Sequence, residues 1–551
     1  MFSISLEATA APGQLDPTFG DKGIAVVRVT ENQDYATGSL LQSDGKLVVA
    51  GTCATPYRTA VCVSRLNRDG SQDVAFGEGG LVSTEASSDI AAVGQLLDGG
   101  EGRILLVASC KRASPSGFSD KVCILRYMPN GSLDEAFGIN GVQAAGGTSS
   151  PFVVVKAVVQ EDEKIVVLGK CTENLSASPK LCIARLAKDG SPDATFGVDG
   201  FAILDADSGW TPLALLVDSG NRITAAGDCV SYTASQYTTP QICVMRVTAS
   251  GAFDAGFGVL GKAVLTTSQY PSVTALASST GGRILVVNAC YLLGANRFCV
   301  DALTDAGVID STFGAGGHIQ IPAQPNPFNY YREDPTETVR SISGQLHIAG
   351  VCYRDYLNNF CVKRLTNDWT LDVSFGVGGS VIHALGWSHS YANSVTVQAD
   401  GKIFLSGPCA TLGNNDFDFC VVRLKGGPYD PLTCTLNVDA NNAIESPTDA
   451  LLILRYLLGY RGDALSSGVL GNNPNRTGQA LETYLASLNL DADGDGQSLA
   501  TTDGLLILRA MLGLTGDALT AGAVNTAHPN VRNAQQILTW IESTHGVACL
   551  P

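Results

Sequence analysis

An octet, Asp-x-x-Phe-Gly-x-x-Gly, recurs seven times in this 551-residue chain, starting at Asp16, Asp73, Asp134, Asp193, Asp254, Asp310 and Asp372. Successive copies lie 56 to 62 residues apart. A fixed period of this length marks a repeat architecture, in which one supersecondary unit is copied and its neighbours bury one another's apolar faces. Each unit carries four short runs rich in Val, Ile and Leu. In the first these are 23–29, 35–42, 46–53 and 60–66, with an Asp44-Gly45 turn between the second and third. Runs of this length bounded by Gly, Asp and Asn read as strands joined by turns. Four strands per unit and seven units predict a mainly β fold, a seven-bladed β-propeller.

The order of runs also predicts how the ring closes. The chain begins with one motif and one strand, whereas the last repeat stops after its fourth run near Leu424. Residues 23–30 are therefore expected as the outermost strand of the blade made by 391–424, which removes an open sheet edge.

The repeated unit, with its DxxFGxxG motif, DGK turn and C-x-x-R-L strand, resembles the bacterial delta-60 repeat over residues 1–425. That resemblance implies a propeller fold and a secreted setting. It implies no particular activity.

Sixteen cysteines bear on the compartment. Fourteen fall into close pairs, one per repeat: Cys53/Cys62, Cys110/Cys123, Cys171/Cys182, Cys229/Cys243, Cys290/Cys299, Cys352/Cys361 and Cys409/Cys420. Each pair is expected to join the end of the third strand to the start of the fourth, at the base of a hairpin loop. Cys434 and Cys549 flank the C-terminal region as an eighth pair. An even framework without a CxxC or Cys/His cluster predicts disulfides and an oxidising environment rather than a metal site. Ala8-Thr9-Ala10 has the small-x-small form of a signal-cleavage site, so 1–10 reads as a residual signal peptide or disordered segment and the mature chain starts near Ala11. The expected domains are then the propeller at 11–425, a linker at 426–433 and a helical domain at 434–551. A net charge of −17 argues against nucleic acid as a partner, and no apolar run reaches membrane-spanning length.

Inside the repeats, the motif phenylalanines (Phe19, Phe76, Phe137, Phe196, Phe257, Phe313 and Phe375) are expected to fill space between blades. Arg65, Arg126, Arg185, Arg246, Arg364 and Arg423, each three residues after a Cys, are expected to pair with motif aspartates. The fifth repeat has Ala302 there.

The cysteine-flanked loops and the blade-to-blade loops emerge on one face of a propeller, and aromatic residues concentrate in them. Tyr57, Trp210, Tyr232, Tyr237, Tyr270, Tyr291, Tyr330, Tyr331, Tyr353, Tyr356 and Trp387 form a candidate ligand face, joined by Tyr35, Phe328 and Tyr391. Two readings stay open: a binding surface on rigid loops, or tyrosines packed over the blade ends.

Beyond the linker a second repeat appears, with 448–465 matching 502–519 at an offset of 54. Leu451, Leu452, Leu454, Leu457 and Leu458 have helical spacing, and second helices are expected at 478–488 and 531–543. The preceding loop 491–503 reads DADGDGQSLATTD. Asp491, Asp493, Asp495 and Asp503 supply alternating carboxylates and a further one at the helix start, with the Gln497 carbonyl between, the pattern of a calcium loop. In the first unit Asn437, Asp439, Asn441, the Ala443 carbonyl, Glu445 and Asp449 occupy the matching places. The pair resembles the dockerin type of EF-hand-like repeat, which implies a small all-α dockerin-like domain holding two Ca2+ ions. The loop is one residue longer than that type, and Leu499 stands where Glu445 could ligate.

Two functions are compatible with this reading. One is a secreted, calcium-binding binding, scaffold or adhesion module that meets a cell-surface protein or glycan. The other is an extracellular polysaccharide-active enzyme, a glycoside hydrolase or lyase. Expected inner strands such as 36–42, 152–160, 212–217 and 394–398 hold no carboxylate, with Lys156 and Arg340 the only charges expected along the channel. No catalytic residue is assigned, although Glu333, Asp334 and Asp355 could come from loops.

Overall fold

The computed structural model describes residues 12–549 except 55–58, 85–89, 115–116, 146–151, 172–179, 205–209, 232–238, 267–270, 280–281, 293–294, 324–331, 342–343, 355, 386–388, 399–400, 411–415, 427–433, 441–445, 471–473, 475, 525–527, 529–530 and 546–548. The described strands form seven four-stranded antiparallel sheets. In the first blade they run outward as Asp34–Leu41, Leu47–Ala54, Thr59–Leu66 and Leu81–Thr84. The innermost strands contact one another in sequence around a closed ring. As expected, the first strand completes the last blade: Ile24–Val27 pairs antiparallel with the strand Phe417–Leu424, Ile24 opposite Val422 and Val27 opposite Phe419.

The middle strands lie between two neighbouring blades and are buried on both sides, which is why their sequences read as unbroken apolar runs. Leu47, Val48, Val49 and Ala50 have no exposed surface. The motif Phe supplies the contact between blades. Phe76 is fully buried in a cluster that joins Val48 and Ala50 of one blade to Ile104 and Leu106 of the next.

The motif Asp and the strand Arg do pair, in all six repeats that contain both. Nε–Oδ2 distances are 2.6 Å for Arg65–Asp73, 2.8 Å for Arg126–Asp134, 2.7 Å for Arg185–Asp193, 2.8 Å for Arg246–Asp254, 2.9 Å for Arg364–Asp372 and 2.9 Å for Arg423–Asp16. The guanidinium lies over the motif Phe, 4.5 Å from the Phe76 centroid and 4.3 Å from that of Phe375. Its free arm reaches the next blade: Arg65 Nη1 donates to the Pro129 carbonyl at 2.6 Å and Arg185 Nη1 to that of Ala249 at 2.5 Å. One side chain thus ties its own motif to a neighbour. Where Ala302 replaces the Arg, Arg283 from the preceding turn takes the motif aspartate Asp310 at 2.6 Å. The same turn position supplies Lys46 to Asp73 at 2.8 Å. Burial pushes the Asp73 carboxyl up, but the hydrogen bonds and charges of Lys46 and Arg65 outweigh it and hold the group below the ordinary carboxylate range.

His347 sits in the core of the sixth blade, 1% exposed, with the ring edge-on to Phe375 at 6.4 Å. Burial, aided by the charge of Arg364, pushes its pKa down to about 3. The unfolded chain takes up this proton below its ordinary value of 6.5, whereas the folded protein does not until about 3. Stability contributed by the neutral ring is therefore complete above pH 6.5 and falls as the pH drops toward 3, by about 1.4 kcal/mol per pH unit. Phe404 occupies the corresponding place in the seventh blade, each residue lying opposite the strand Arg. His347→Phe is expected to remove about 2 kcal/mol of the stability lost between pH 6.5 and 5. Urea unfolding at both pH values checks this; an unchanged loss in the variant would contradict it.

Residues from 434 onward have a separate core built on Leu436, Leu452, Ile453, Leu481, Leu506, Ile507 and Ile541. Its main helices are Leu451–Leu457, Gly478–Ser487, Leu505–Met511 and Ala534–His545, with single turns at Asp463–Ser466 and Gly516–Thr520. The repeat 448–465 is not one helix. Gly459, at φ 89°, ends it in a left-handed residue, the Gly459 N–H bonding to Tyr456 and the Tyr460 N–H to Arg455. That pattern is a Schellman stop, repeated at Gly513. The last helix starts later than expected because Asn533 and Gln536 cap it reciprocally, each side chain accepting from the other's N–H at 2.9 Å. Among the described residues no helix is long and apolar enough to cross a membrane.

Candidate metal centre and recognition face

All eight expected cysteine pairs are bonded: Cys53–Cys62, Cys110–Cys123, Cys171–Cys182, Cys229–Cys243, Cys290–Cys299, Cys352–Cys361, Cys409–Cys420 and Cys434–Cys549, with Cα–Cα distances of 5.1 to 5.9 Å. Their position in the blade differs from expectation. The second cysteine of a pair stands inside the fourth run, not at its start: Cys123 within Gly117–Tyr127, Cys243 within Thr239–Val247, Cys361 within Leu357–Leu365 and Cys420 within Phe417–Leu424. The ladder continues past the disulfide toward the loop, as far as Ser114 opposite Gly117 in the second blade. The sequence hides this extension because the residues beyond the cysteines, such as Lys111, Arg112, Asn358 and Asn359, are polar and read as loop.

The seven propeller disulfides share one geometry, crossing the two middle strands diagonally. In register, Cys62 lies opposite Gly51, Cys182 opposite Gly169, Cys243 opposite Gly227, Cys361 opposite Gly350 and Cys420 opposite Gly407. Cys123 faces Ala108 and Cys299 faces Asn288 instead. The common glycine is required by the inner strand, since a Cβ on Gly51 would fall 1.9 Å from the Tyr35 carbonyl oxygen. The inner strand bulges just there, between Ala36 and Gly38. Bulges recur at the same level in other blades, for example between Val154 and Lys156 and between Pro335 and Glu337.

The aromatic residues assigned to this face have different fates. Tyr356 and Tyr291 are 67% and 40% exposed, and Tyr353 is half-buried. Trp210 is buried in the core between the third and fourth blades, a packing role that its position beside an inner strand did not reveal. Tyr57, Tyr232, Tyr237, Tyr270, Tyr330, Tyr331, Trp387 and Phe328 lie outside the described residues.

The channel departs from expectation. Glu337, on the inner strand Glu333–Arg340, meets Lys156 of the inner strand Phe152–Val159 in an ion pair. The two strands belong to the sixth and third blades, so the pair spans the channel. Arg340 instead turns toward the short-turn face, donating to the Gly344 carbonyl at 2.9 Å and lying over Trp369. Sequence reasoning missed Glu337 because its strand, EDPTETVR, holds four charges and a proline and reads as a loop. Glu333 is buried on Lys363 at 2.8 Å and Asp334 pairs with Arg332 at 2.7 Å, while Asp355 lies outside the described residues.

In the C-terminal region Asp491, Asp493 and Asp495 converge, each offering a carboxylate oxygen within 4.8 Å of the others. Asp503 is fully buried and positions the loop: its Oδ1 accepts from the Asp493 N–H at 3.0 Å and its Oδ2 from the Leu499 N–H at 2.8 Å. Asp449 accepts from the Val438 N–H at 2.8 Å in the same way, and Asn437, Asp439 and Asp449 are all buried. Asn441, Ala443 and Glu445 lie outside the described residues, and Gln497 is exposed. The extra loop residue is absorbed in a π turn, Ala500–Gly504, where the Gly504 N–H reaches back five residues to Leu499. A matching turn, Ser446–Ala450, stands in the first unit. Each loop is also clamped from behind. Arg476 donates its N–H to the Asp439 carbonyl and Nη1 to that of Val438, both at 2.8 Å. Arg532 does the same for Asp493 at 2.8 Å and for Asp491 at 2.6 Å. An all-oxygen set of carboxylates suits a hard cation such as Ca2+. Among the described residues a second convergence, Cys290, Cys299 and His318, offers no thiolate because the cysteines form a disulfide.

A family described as a domain of unknown function (DUF5122) beta-propeller matches at residues 42–76 and 160–196, within the first and third blades. The chain is a propeller protein. No curated protein matches this propeller. Similar solved structures include the polysaccharide lyase Uly1 (9% identity, 74% of this chain and 93% of that one, TM-score 0.42). A virginiamycin B lyase from Staphylococcus aureus is 12% identical over 72% of this chain and 98% of its own, with TM-score 0.39. The β-propeller domain of the Trilobed protease from Pyrococcus furiosus, described as an open velcro, is 8% identical over 72% and 95%, also with TM-score 0.39. Likenesses at this level carry no argument about the activity of this propeller.

Proposed function

We propose that this propeller is a secreted, calcium-binding recognition module, which uses its disulfide-bearing face to hold a cell-surface or matrix partner. The observation that carries the reading is the placement of all seven propeller disulfides in the hairpins that open onto one face, while the other face has short turns. Cross-linking a hairpin near its loop limits the freedom of the loop and lowers the entropy lost when a partner binds. Cytosolic thiols would stay reduced, so eight disulfides fit an extracytoplasmic setting. The C-terminal unit acts in this reading as a dockerin-like, EF-hand-like domain with two Ca2+ ions, one held by Asp491, Asp493, Asp495, Asp503 and the Gln497 carbonyl, the other by Asn437, Asp439, Asn441, Glu445, Asp449 and the Ala443 carbonyl. A polysaccharide-cleaving enzyme is the alternative. Most glycoside hydrolases use two cooperating carboxylates, and Glu337, which the described inner strands bring into the channel, is held by Lys156.

Capture of envelope and secreted material on the immobilised full chain, in calcium and in excess chelator, tests the proposal. Retention of a defined protein or glycan in calcium is the expected result. A folded protein that retains nothing in either condition would overturn it.

A further inference from the structure

Where the first and last blades meet, four rings form a row on the disulfide-bearing face. Tyr35 lies against Phe417 with centroids 5.1 Å apart and planes tilted by 32°. Phe417 meets Tyr391 at 6.1 Å, and Tyr391 is followed by His389 at 6.5 Å. Tyr35 is 38% exposed and the other three rings are half-buried.

The polar atoms of the row are fixed. The Tyr35 hydroxyl donates to Gln33 Oε1 at 2.7 Å. Asn358 holds the far end, donating from Nδ2 to the Tyr391 hydroxyl and from its backbone N–H to His389 Nδ1, both at 3.1 Å. Since Nδ1 accepts, the neutral imidazole carries its proton on Nε2. The Tyr391 hydroxyl, having accepted, has its own proton to donate. The row therefore combines flat apolar rings with oriented donors and the exposed amide of Gln33. The flanking charges are acidic or already paired. Asp418 is buried against Arg28 at 3.8 Å, while Glu31 and Asp416 stand near Gln33 and Phe417 in sequence.

We propose that this row is a subsite for a neutral glycan chain, with the C–H face of a hexopyranose stacked on the exposed side of Tyr35, which Phe417 backs, and its hydroxyls bonded by Gln33, Tyr391 and His389. The proposal rests on the reading of this face as a recognition surface and names its ligand class. Hydroxyls both donate and accept, which matches an amide, a phenol and an imidazole N–H in one row. The bordering carboxylates oppose a uronate or sulfated chain. A proline-rich peptide could cover the same rings, but its carbonyls only accept and would leave unused the second lone pair of Gln33 Oε1, the one not taken by Tyr35.

Calorimetric titration of the full-length protein with cellohexaose, xylohexaose, mannohexaose, laminarihexaose and chitohexaose, and with decaproline, tests this. At least one hexasaccharide should bind with Kd below about 1 mM. Tyr35→Ala should weaken it about tenfold or more, the scale of an aromatic hot spot, and His389→Ala should weaken it less. Should Tyr35→Ala fail to fold, Gln33→Ala at its exposed site carries the test, with a severalfold loss expected. Binding by no hexasaccharide, binding unchanged in a folded variant, or binding of decaproline alone would overturn the glycan subsite. Calcium-dependent capture of a protein partner without sugar binding would leave the recognition reading standing while this subsite fails.

Discussion

Arg185→Ala is expected to destabilise the propeller by about 3–5 kcal/mol, the scale of breaking a buried ion pair by removing one partner. Its side chain is 5% exposed and that of Asp193 is 8%. Four contacts go at once: the 2.7 Å pair with Asp193, the bond to the Ala249 carbonyl in the next blade, a 3.1 Å bond to Thr195 and the stacking on Phe196. Lys164, 3.3 Å from Asp193 and 31% exposed, is a poor replacement. The comparison across blades is more telling than one variant. Lys46→Ala leaves Arg65 on Asp73 and should cost about 1 kcal/mol or less. Arg283→Ala removes the guanidinium from Asp310 in the blade where Ala302 offers none, and should cost about 1–3 kcal/mol. Denaturant unfolding that ranks the three variants Arg185, Arg283, Lys46 in falling order of damage supports the stapling role. Equal, small effects would show that the pairs contribute little beyond the Phe packing.

Replacing Cys434 and Cys549 together by Ala should act on the helical region alone. Their bond closes a span of 115 residues, far longer than the 9 to 14 of the propeller disulfides. In the chain-entropy model a loop of this size contributes about 4–5 kcal/mol, against about 3 kcal/mol for one of 15 residues. For a region of this size such a loss lowers the melting temperature by about 15 °C or more. Two-transition calorimetry checks it: the helical transition should drop and the propeller transition should stay. A drop in both would mean that the two cores melt as one unit.

Much of the propeller was legible because repetition averages out local ambiguity. A single LVVAG run is equivocal between buried strand and buried helix, but seven such runs at a fixed period, bounded by turns of Gly, Asp and Ser, are not. The closing strand followed from counting runs at the two ends, the Arg–Asp pairs from their constant offset, and the cysteine partners from their spacing. What escaped was whatever differs between blades. The hairpins outrun their disulfides by different lengths, and the polar residues that extend them carry no strand signal. Glu337 was hidden in a strand too polar to read as one, made tolerable by a lysine three blades away. Arg283 replaced the missing strand arginine from a turn, a substitution visible only once both positions are seen to reach one carboxylate. Trp210 read as a face residue because sequence places it at a strand end, whereas the neighbouring blade covers it. In the helical region the repeat and its acidic loops were legible, but the π turn that absorbs the extra loop residue depends on backbone bonding that composition does not encode.

The two-ion reading of the acidic loops is the point on which the account turns. Titrating chelator-treated, full-length protein with calcium by calorimetry should give two equivalents bound, and Asp495→Ala should remove one. Calcium at about a thousand times Kd should also stabilise the helical transition by about 4 kcal/mol for each site. No heat of binding, with the helical region folded and its melting unchanged by calcium, would contradict the account.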